Sequence, residues 1–297
     1  MTPFTRKQKI VCVIIRMIEW IVNNRTLVPF LNRVSAVLCK FFFLNRRHPK
    51  EKNCLFENLS VAFIADGNRR WLKKTQMKKK PTNPRYYSGL FNEFFRHLQI
   101  YVKSKFRFMK TKATKPDLPS GKMKVDTGFK KILEIIKFAY LNNFKEVSFF
   151  CFAIGNFNRP KNDISEIMDY IKNAELFDHS LPIQIKIYGR IHMLDPEVRD
   201  KLKKISETYS MKAKLLVNLF IGYSSSADEA DAINKFDNDI DLLIRTSGEK
   251  RLSDFLVNQV ARGTSVDFVN PYWPEFSILH LYLTLIKHAL ERKYLNE

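Results

Sequence analysis

A mainly parallel α/β sheet of about six strands, with helices on both faces, is the fold this sequence predicts. Three observations predict it. Short apolar runs recur along the chain, at 61–65, 147–153, 183–188, 215–221 and 241–244, with a weaker one near 266–269. Segments of helical period lie between them, which implies crossover connections rather than hairpins. The first run is apolar throughout and ends in an acid, a glycine, an amide and two arginines, as a buried strand does when it delivers a turn to the carboxyl edge of a parallel sheet.

The elements follow in order. Residues 1–57 read as an apolar and basic segment that contacts a membrane or a partner. The run at 10–22 is interrupted by Arg16 and Glu19 and is shorter than the ~20 residues a spanning helix needs. No small-residue cleavage site follows it, which argues against a signal peptide. A second stretch at 30–44 again mixes apolar residues with Arg33 and Lys40 and then meets Arg46 and Arg47. Two apolar helices with basic flanks suit an interfacial anchor; packing on a partner subunit or on the domain itself is the alternative. Residues 58–297 read as one domain, with a basic insert at about 73–124. Beyond the insert, a helix is predicted from Gly128, with Asp126 or Thr127 as its cap and Phe129, Ile132, Leu133, Ile136 and Tyr140 on one face. Further helices are predicted at 163–176, from Asp195-Pro196-Glu197 with proline at the first helical position, at 226–236 and at 275–290.

Composition narrows the function. A chain of 297 residues with 45% hydrophobic content buries one sizeable core. The four cysteines, Cys12, Cys39, Cys54 and Cys151, have no paired spacing, which argues for a reducing compartment and against a zinc site. Formal net charge is +21, and residues 73–124 alone carry 15 Lys and Arg against two acids. Such an excess suits polyanions: nucleic acid, acidic lipid or phosphorylated substrates. No nucleic-acid-binding motif is recognisable, so no nucleic-acid partner is expected.

The turn after the first strand is chemically suggestive. Gly67 lets backbone approach a ligand closely. The amides of Asn68, Arg69 and Arg70 open the next helix, and a helix N-terminus favours phosphate. Asp66 is placed to hold a hard cation such as Mg2+. Taken alone, an Asp-Gly-Asn is usually only an ordinary turn. Three more segments accompany it in order: Phe152-Ala-Ile-Gly-Asn-Phe-Asn-Arg-Pro160, Ile244-Arg-Thr-Ser-Gly-Glu-Lys-Arg-Leu-Ser-Asp-Phe-Leu256 and Tyr272-Trp-Pro-Glu-Phe276.

Together these four segments resemble the cis-prenyltransferases, over roughly residues 58–290, and within them the eukaryotic dehydrodolichyl diphosphate synthase type. The resemblance implies an enzyme that adds isopentenyl diphosphate to an allylic primer such as farnesyl diphosphate, making polyprenyl diphosphate for dolichol and protein glycosylation. It implies Mg2+ on Asp66, and catalytic roles for Asp66 and Asn156. It implies a primer site at Gly67, Asn68, Arg69, Arg70 and Trp71, with Phe157 and Arg159 as further substrate contacts. Arg245, Arg251 and Ser253 match the isopentenyl diphosphate site. An apolar tunnel for the product is expected along the 129–140 helix, Ile167, Met168 and the strand from Phe149 to Phe152.

Departures from the family pattern accompany the match. Lys124 and Val125 stand where the family often has Gly-His, and Gly155 where it often has Glu. Thr264, beside Ser265, stands at a position that is a metal-ligand Glu in bacterial members. The chain ends without the Arg-x-Gly tail of single-subunit members. A Nogo-B-receptor-like accessory subunit in a heterodimer, or a homodimer, is therefore expected to complete the site. Peripheral attachment to the cytosolic face of the endoplasmic reticulum membrane is expected from residues 1–44. A non-catalytic accessory subunit is the alternative reading, but such subunits lose the motifs that are intact here.

Overall fold

A computed structural model of the chain describes residues 5–35 (position 33 apart), 56–77, 122–173, 181–209, 213–229 and 235–295. Most of the basic insert and the part of the second apolar stretch beyond residue 35 lie outside these residues.

Six strands form one sheet: β1 (Ser60–Ile64), β2 (Glu146–Ala153), β3 (Ile183–Tyr188), β4 (Leu215–Tyr223), β5 (Leu242–Arg245) and β6 (Ser265–Phe268). Their order is β3-β4-β2-β1-β5-β6, and every pairing is parallel. Each predicted run became a strand, with ends moved by at most a residue or two. The central strands read as continuous apolar runs because both faces are covered. Alternation then splits their side chains between two cores. Val61, Phe63, Val147, Phe149, Val217 and Leu219 enter the larger one, while Ala62, Ile64, Phe150, Phe220 and Leu243 enter the other. Phe63 and Phe149, opposite each other in register, stack at 5.4 Å between ring centroids.

Among the described residues the helices include α1 (Arg6–Asn23), α2 (Asn68–Met77), α3 (Lys122–Leu141), α4 (Lys161–Asn173), α5 (Pro196–Thr208), α6 (Ser225–Glu229), α7 (Val257–Ala261) and α8 (Ile278–Tyr294), and residues 28–32 are helical as well. The start of α5 is as predicted: the Asp195 side chain accepts from the Glu197 amide at 3.1 Å, and Pro196 occupies the first helical position. The start of α3 is not. It lies at Lys122, so Asp126 and Thr127 fall inside the helix instead of capping it. Asp and Thr cost only a few tenths of a kcal/mol in a helix interior relative to ordinary residues, so their presence does not stop one. The helix predicted at 226–236 begins as α6 at Ser225 and is described to Glu229, and residues 235 and 236 are not helical; α8 starts three residues later than predicted, after a 3-10 turn at Trp273–Glu275.

The N-terminal helix has two apolar faces. Thr5 and Gln8 form a capping box at its start. Val11, Ile15, Ile18 and Val22 are buried against the domain, where α1 packs on α8. Glu19 adds an ion pair to Lys287 of α8, which also meets Asp267 and Glu291. The opposite face leaves Ile10, Val13, Ile14, Met17 and Trp20 between 41% and 64% exposed. Among the described residues no helix is long and apolar enough to cross a membrane.

Strand order fixes where chemistry belongs. After β1 the chain moves towards β2, and after β5 it moves towards β6, on the other side. The crevice at the carboxyl ends of β1 and β5 is therefore a topological switch point, where open α/β sheets bind ligands.

Candidate active site

Asp66 follows β1 and Arg245 closes β5, so strand pairing brings residues 179 apart in sequence into contact. Arg245 is 3% exposed. Its Nη2 donates to Asp66 Oδ2 at 2.8 Å, and its Nη1 donates to the Ser253 hydroxyl at 2.7 Å and to the Arg251 carbonyl. The other Asp66 oxygen accepts from the Gly67 amide at 2.6 Å and pairs with Arg70 Nη2 at 3.3 Å. Burial alone would raise the pKa of this carboxyl. The hydrogen bond and charge of Arg245, then Arg70 and the Gly67 amide, outweigh burial and hold it below the ordinary carboxylate value. Asp66 is an anion at any physiological pH.

The backbone of the turn is pinned as firmly. Buried Thr246 accepts from the Asp66 amide at 3.0 Å and donates to the Asp66 carbonyl at 2.8 Å, and that carbonyl also accepts from Trp273 N at 3.0 Å. Trp273 Nε1 in turn donates to the Gly128 carbonyl at 2.8 Å. A Cβ on Gly128 would lie 3.0 Å from Asn68 Oδ1, so α3 comes close to the start of α2 there. Gly67 has φ +102°, a conformation that L side chains rarely adopt.

Arg70, one turn into α2, gathers three partners: Glu249 Oε1 at 2.6 Å, Ser247 Oγ at 2.7 Å and Asp66. Glu249 also pairs with Arg251 at 3.1 Å. Arg69 meets Asp163 at 3.5 Å. Arg159 is half-buried; burial and then the charge of Arg69 lower its pKa, with Asp163 and Asp66 acting in the opposite sense. Asp66, Arg70, Arg245, Arg251 and Ser253, with Ser247 and Glu249 between them, thus form one connected cluster at the switch point, and Arg69 and Arg159 lie within range of its charge. Trp71 sits half-buried on α2. Asn156 and Phe157 lie on the 3-10 turn that ends β2, at the same edge of the sheet. Phe157 packs edge-on against Phe152 at 5.0 Å and borders a groove of ≈340 Å³ that Ile164, Met168, Met193 and Leu194 also line. Among the described residues, no hydrogen bond joins the Asn156 side chain to the cluster.

Two buried polar atoms at this edge, Asn68 Oδ1 and Arg245 Nε, have no hydrogen-bond partner among the described residues. Asp66 is a single hard carboxylate with no second acid or histidine completing a three-residue metal cluster among the described residues. Mg2+ is ordinarily held by one or two carboxylates together with waters and substrate phosphates. The donor set fits a metal that arrives with a diphosphate.

The family model described as putative undecaprenyl diphosphate synthase matches residues 113–239 and 235–295. A dehydrodolichyl diphosphate synthase of Encephalitozoon cuniculi (strain GB-M1) is 35% identical over 268 residues, covering 88% of this chain and 83% of that protein. This chain belongs to the cis-prenyltransferase family. It is a prenyltransferase of the dehydrodolichyl diphosphate synthase kind. A dehydrodolichyl diphosphate synthase complex subunit of Schizosaccharomyces pombe is 26% identical over 268 residues, covering 78% of this chain and 85% of that protein. Among solved structures, lavandulyl diphosphate synthase from Lavandula x intermedia, in complex with dimethylallyl diphosphate, shares the fold. Its TM-score is 0.56 at 19% identity, over 80% of this chain and 97% of that one.

Sequence reasoning missed several residues of this prenyltransferase site. Thr246, Ser247 and Glu249 lie inside a quoted motif, yet only their neighbours drew a role. Tyr272 was quoted without one. Its ring carries Arg70 at 5.8 Å and Lys74 at 5.4 Å, and Lys74 pairs with Glu275 at 3.1 Å. An acid two residues from an arginine in a strand-end turn was the signal available for Glu249.

Proposed function

We propose that this chain condenses isopentenyl diphosphate with an allylic diphosphate such as farnesyl diphosphate and repeats the step to build a long cis-polyprenyl diphosphate of the kind used for dolichol. The observation that carries the reading is an ionised Asp66 held between Arg245 and Arg70 at a helix N-terminus. In each step the primer's C–O bond breaks, its allylic carbon bonds to the isopentenyl alkene, a proton leaves, and diphosphate departs. Asp66 would hold Mg2+, which supplies neutralising charge for that diphosphate. The chain's own residues do the rest. The amides that open α2 and the Arg69 and Arg70 guanidinium groups bind the primer diphosphate. Arg251, 65% exposed on its side chain, reaches for isopentenyl diphosphate, with Arg245 and Ser253 fixing the loop that presents it. Asn156 is an amide and does not accept a proton near neutral pH; its part is to orient the group that does. Phe157 and Arg159 complete the substrate contacts.

The name of the Schizosaccharomyces pombe relative includes the words complex subunit, which supports a partner here too. Residues 1–57 form the membrane-contacting segment, at the cytosolic face of the endoplasmic reticulum. The exposed Ile10–Val13–Ile14–Met17–Trp20 stripe of α1, with Arg6, Lys7 and Lys9 at its start, supports that reading. Replacing Met17 and Trp20 with Glu is expected to abolish sedimentation with anionic vesicles; unchanged sedimentation would exclude α1 as the contact.

Purified chain with labelled isopentenyl diphosphate, farnesyl diphosphate and Mg2+ tests the activity. Turnover that rises strongly with an accessory subunit indicates a heterodimer, and full turnover alone indicates a self-sufficient enzyme. Absence of product under both conditions would overturn the reading in favour of a non-catalytic subunit.

A further inference from the structure

The loop that leaves α1 reaches the active-site turn. Asn23 grips Asn270 from both sides: its Oδ1 accepts from the Asn270 amide at 2.9 Å, and its carbonyl accepts from Asn270 Nδ2 at 2.8 Å. Two residues on, Arg25 Nε donates to the Asn270 carbonyl and Nη2 donates to the Ser247 carbonyl, both at 3.2 Å. The Arg25 guanidinium also lies over the Tyr272 ring, 4.8 Å from its centroid, beside Arg70 and Lys74.

Ser247 is the critical contact. It is buried and has φ +81°, a left-handed conformation that a non-glycine residue keeps only when its surroundings hold it there. The Ser247 amide donates to the Pro271 carbonyl at 2.8 Å, and the following Gly248 amide donates to the Val269 carbonyl at 2.9 Å. Arg25 holds the remaining Ser247 backbone group, the carbonyl. The Ser247 hydroxyl then accepts from Arg70 Nη2, and the same nitrogen pairs with Asp66. A line of contacts therefore runs from Arg25 through Ser247 to Arg70 and Asp66.

We infer that Arg25 is a positioning residue for the diphosphate site: its fork fixes the strained Ser247 turn and the Tyr272 ring, and so sets where Arg70 stands relative to Asp66. The inference rests on the activity proposed above. It makes the N-terminal segment part of the catalytic machinery as well as a surface element. Lysine would keep the charge and the ring contact but could not bridge two carbonyls with a planar fork.

The test uses the full chain, with its partner where one is needed. Steady-state turnover is measured beside calorimetric titration with inorganic pyrophosphate and Mg2+, and beside thermal melting. Arg25→Ala is expected to weaken pyrophosphate binding and raise the primer KM by roughly tenfold, with a near wild-type melting midpoint. Arg25→Lys is expected to recover only part of the loss. Val22→Ala, which loosens α1 from the core without touching the turn, is expected to lower the midpoint and leave pyrophosphate affinity unchanged. Wild-type affinity and KM in Arg25→Ala would overturn the inference. So would full recovery by lysine, which would reduce the role to charge, or an equal loss of affinity in Val22→Ala, which would reduce it to fastening. A wild-type protein that binds pyrophosphate but makes no product would count against the activity and not against Arg25, because the titration reads the turn directly.

Discussion

Replacing Asp66 with alanine is expected to abolish turnover, with kcat falling by at least roughly 10²–10³-fold. The carboxylate is the acid at the centre of the cluster, and it faces Arg245, Arg70 and the start of α2 at once. Alanine also strands the Arg245 guanidinium, which is 3% exposed and keeps only the Ser253 hydroxyl and the Arg251 carbonyl. Loss of a hydrogen-bonded partner from a buried charge costs about 1–3 kcal/mol, so some destabilisation accompanies the loss of activity. Asp66→Asn separates the two effects. It keeps an acceptor for Arg245 and removes the charge, so at neutral pH it is expected to melt between wild type and Asp66→Ala and still make no product. The pH dependence has a definite sign. The folded-state pKa of Asp66 lies below its ordinary value of 3.8, so its contribution to stability is present above that pH. It is lost as pH falls through the folded value. Wild type should therefore lose its advantage over Asp66→Asn in melting scans below about pH 4. Near wild-type turnover in either variant, with Mg2+ still required, would remove Asp66 from the metal site.

Strands and their terminal turns were legible because burial on both faces leaves an unbroken apolar run and a polar turn at its end. Asp66 was legible as a site residue for the same reason. Its partners were not. Whether Arg245 meets substrate or Asp66 depends on β5 lying next to β1, and strand order cannot be read from the order of runs in the sequence. The contacts of Arg245 to Asp66, Ser253 and the Arg251 carbonyl follow from that pairing of strands and not from its motif, whereas Arg251 lies on the exposed side of the same turn. The left-handed backbone at Ser247, Ser253 and Leu256 was also invisible, since neither serine nor leucine announces a positive φ. Arg25 and Asn23 carry no motif at all. Only the packing of α1 on α8 brings them to Asn270 and Ser247.

Gly67→Ala is the second large effect. Alanine at φ +102° carries a backbone penalty on the order of 1–3 kcal/mol. Its Cβ would also sit 2.6 Å from Tyr272 Cδ1 and 2.9 Å from Ser247 Cβ, closer than real carbon contacts. Neither neighbour moves freely. The Tyr272 ring is sandwiched among Arg25, Arg70 and Lys74, and Ser247 is bound through its amide, carbonyl and hydroxyl. Relief of the overlap must displace Ser247, and with it Arg70, or rotate the turn so that the Gly67 amide leaves Asp66. Overpacking of this kind adds about 1–3 kcal/mol. The variant is expected to melt several degrees lower, at about 2–4 °C per kcal/mol for a domain of this size, and to lose most of its turnover even at temperatures where it is folded. Gly155 provides the contrast. A Cβ there meets nothing within 4 Å, so Gly155→Ala should change stability by no more than about 0.5 kcal/mol. If Gly67→Ala melts and turns over like Gly155→Ala, then the turn accommodates a side chain, and the close packing of Tyr272 and Ser247 on the diphosphate loop is not what shapes the site.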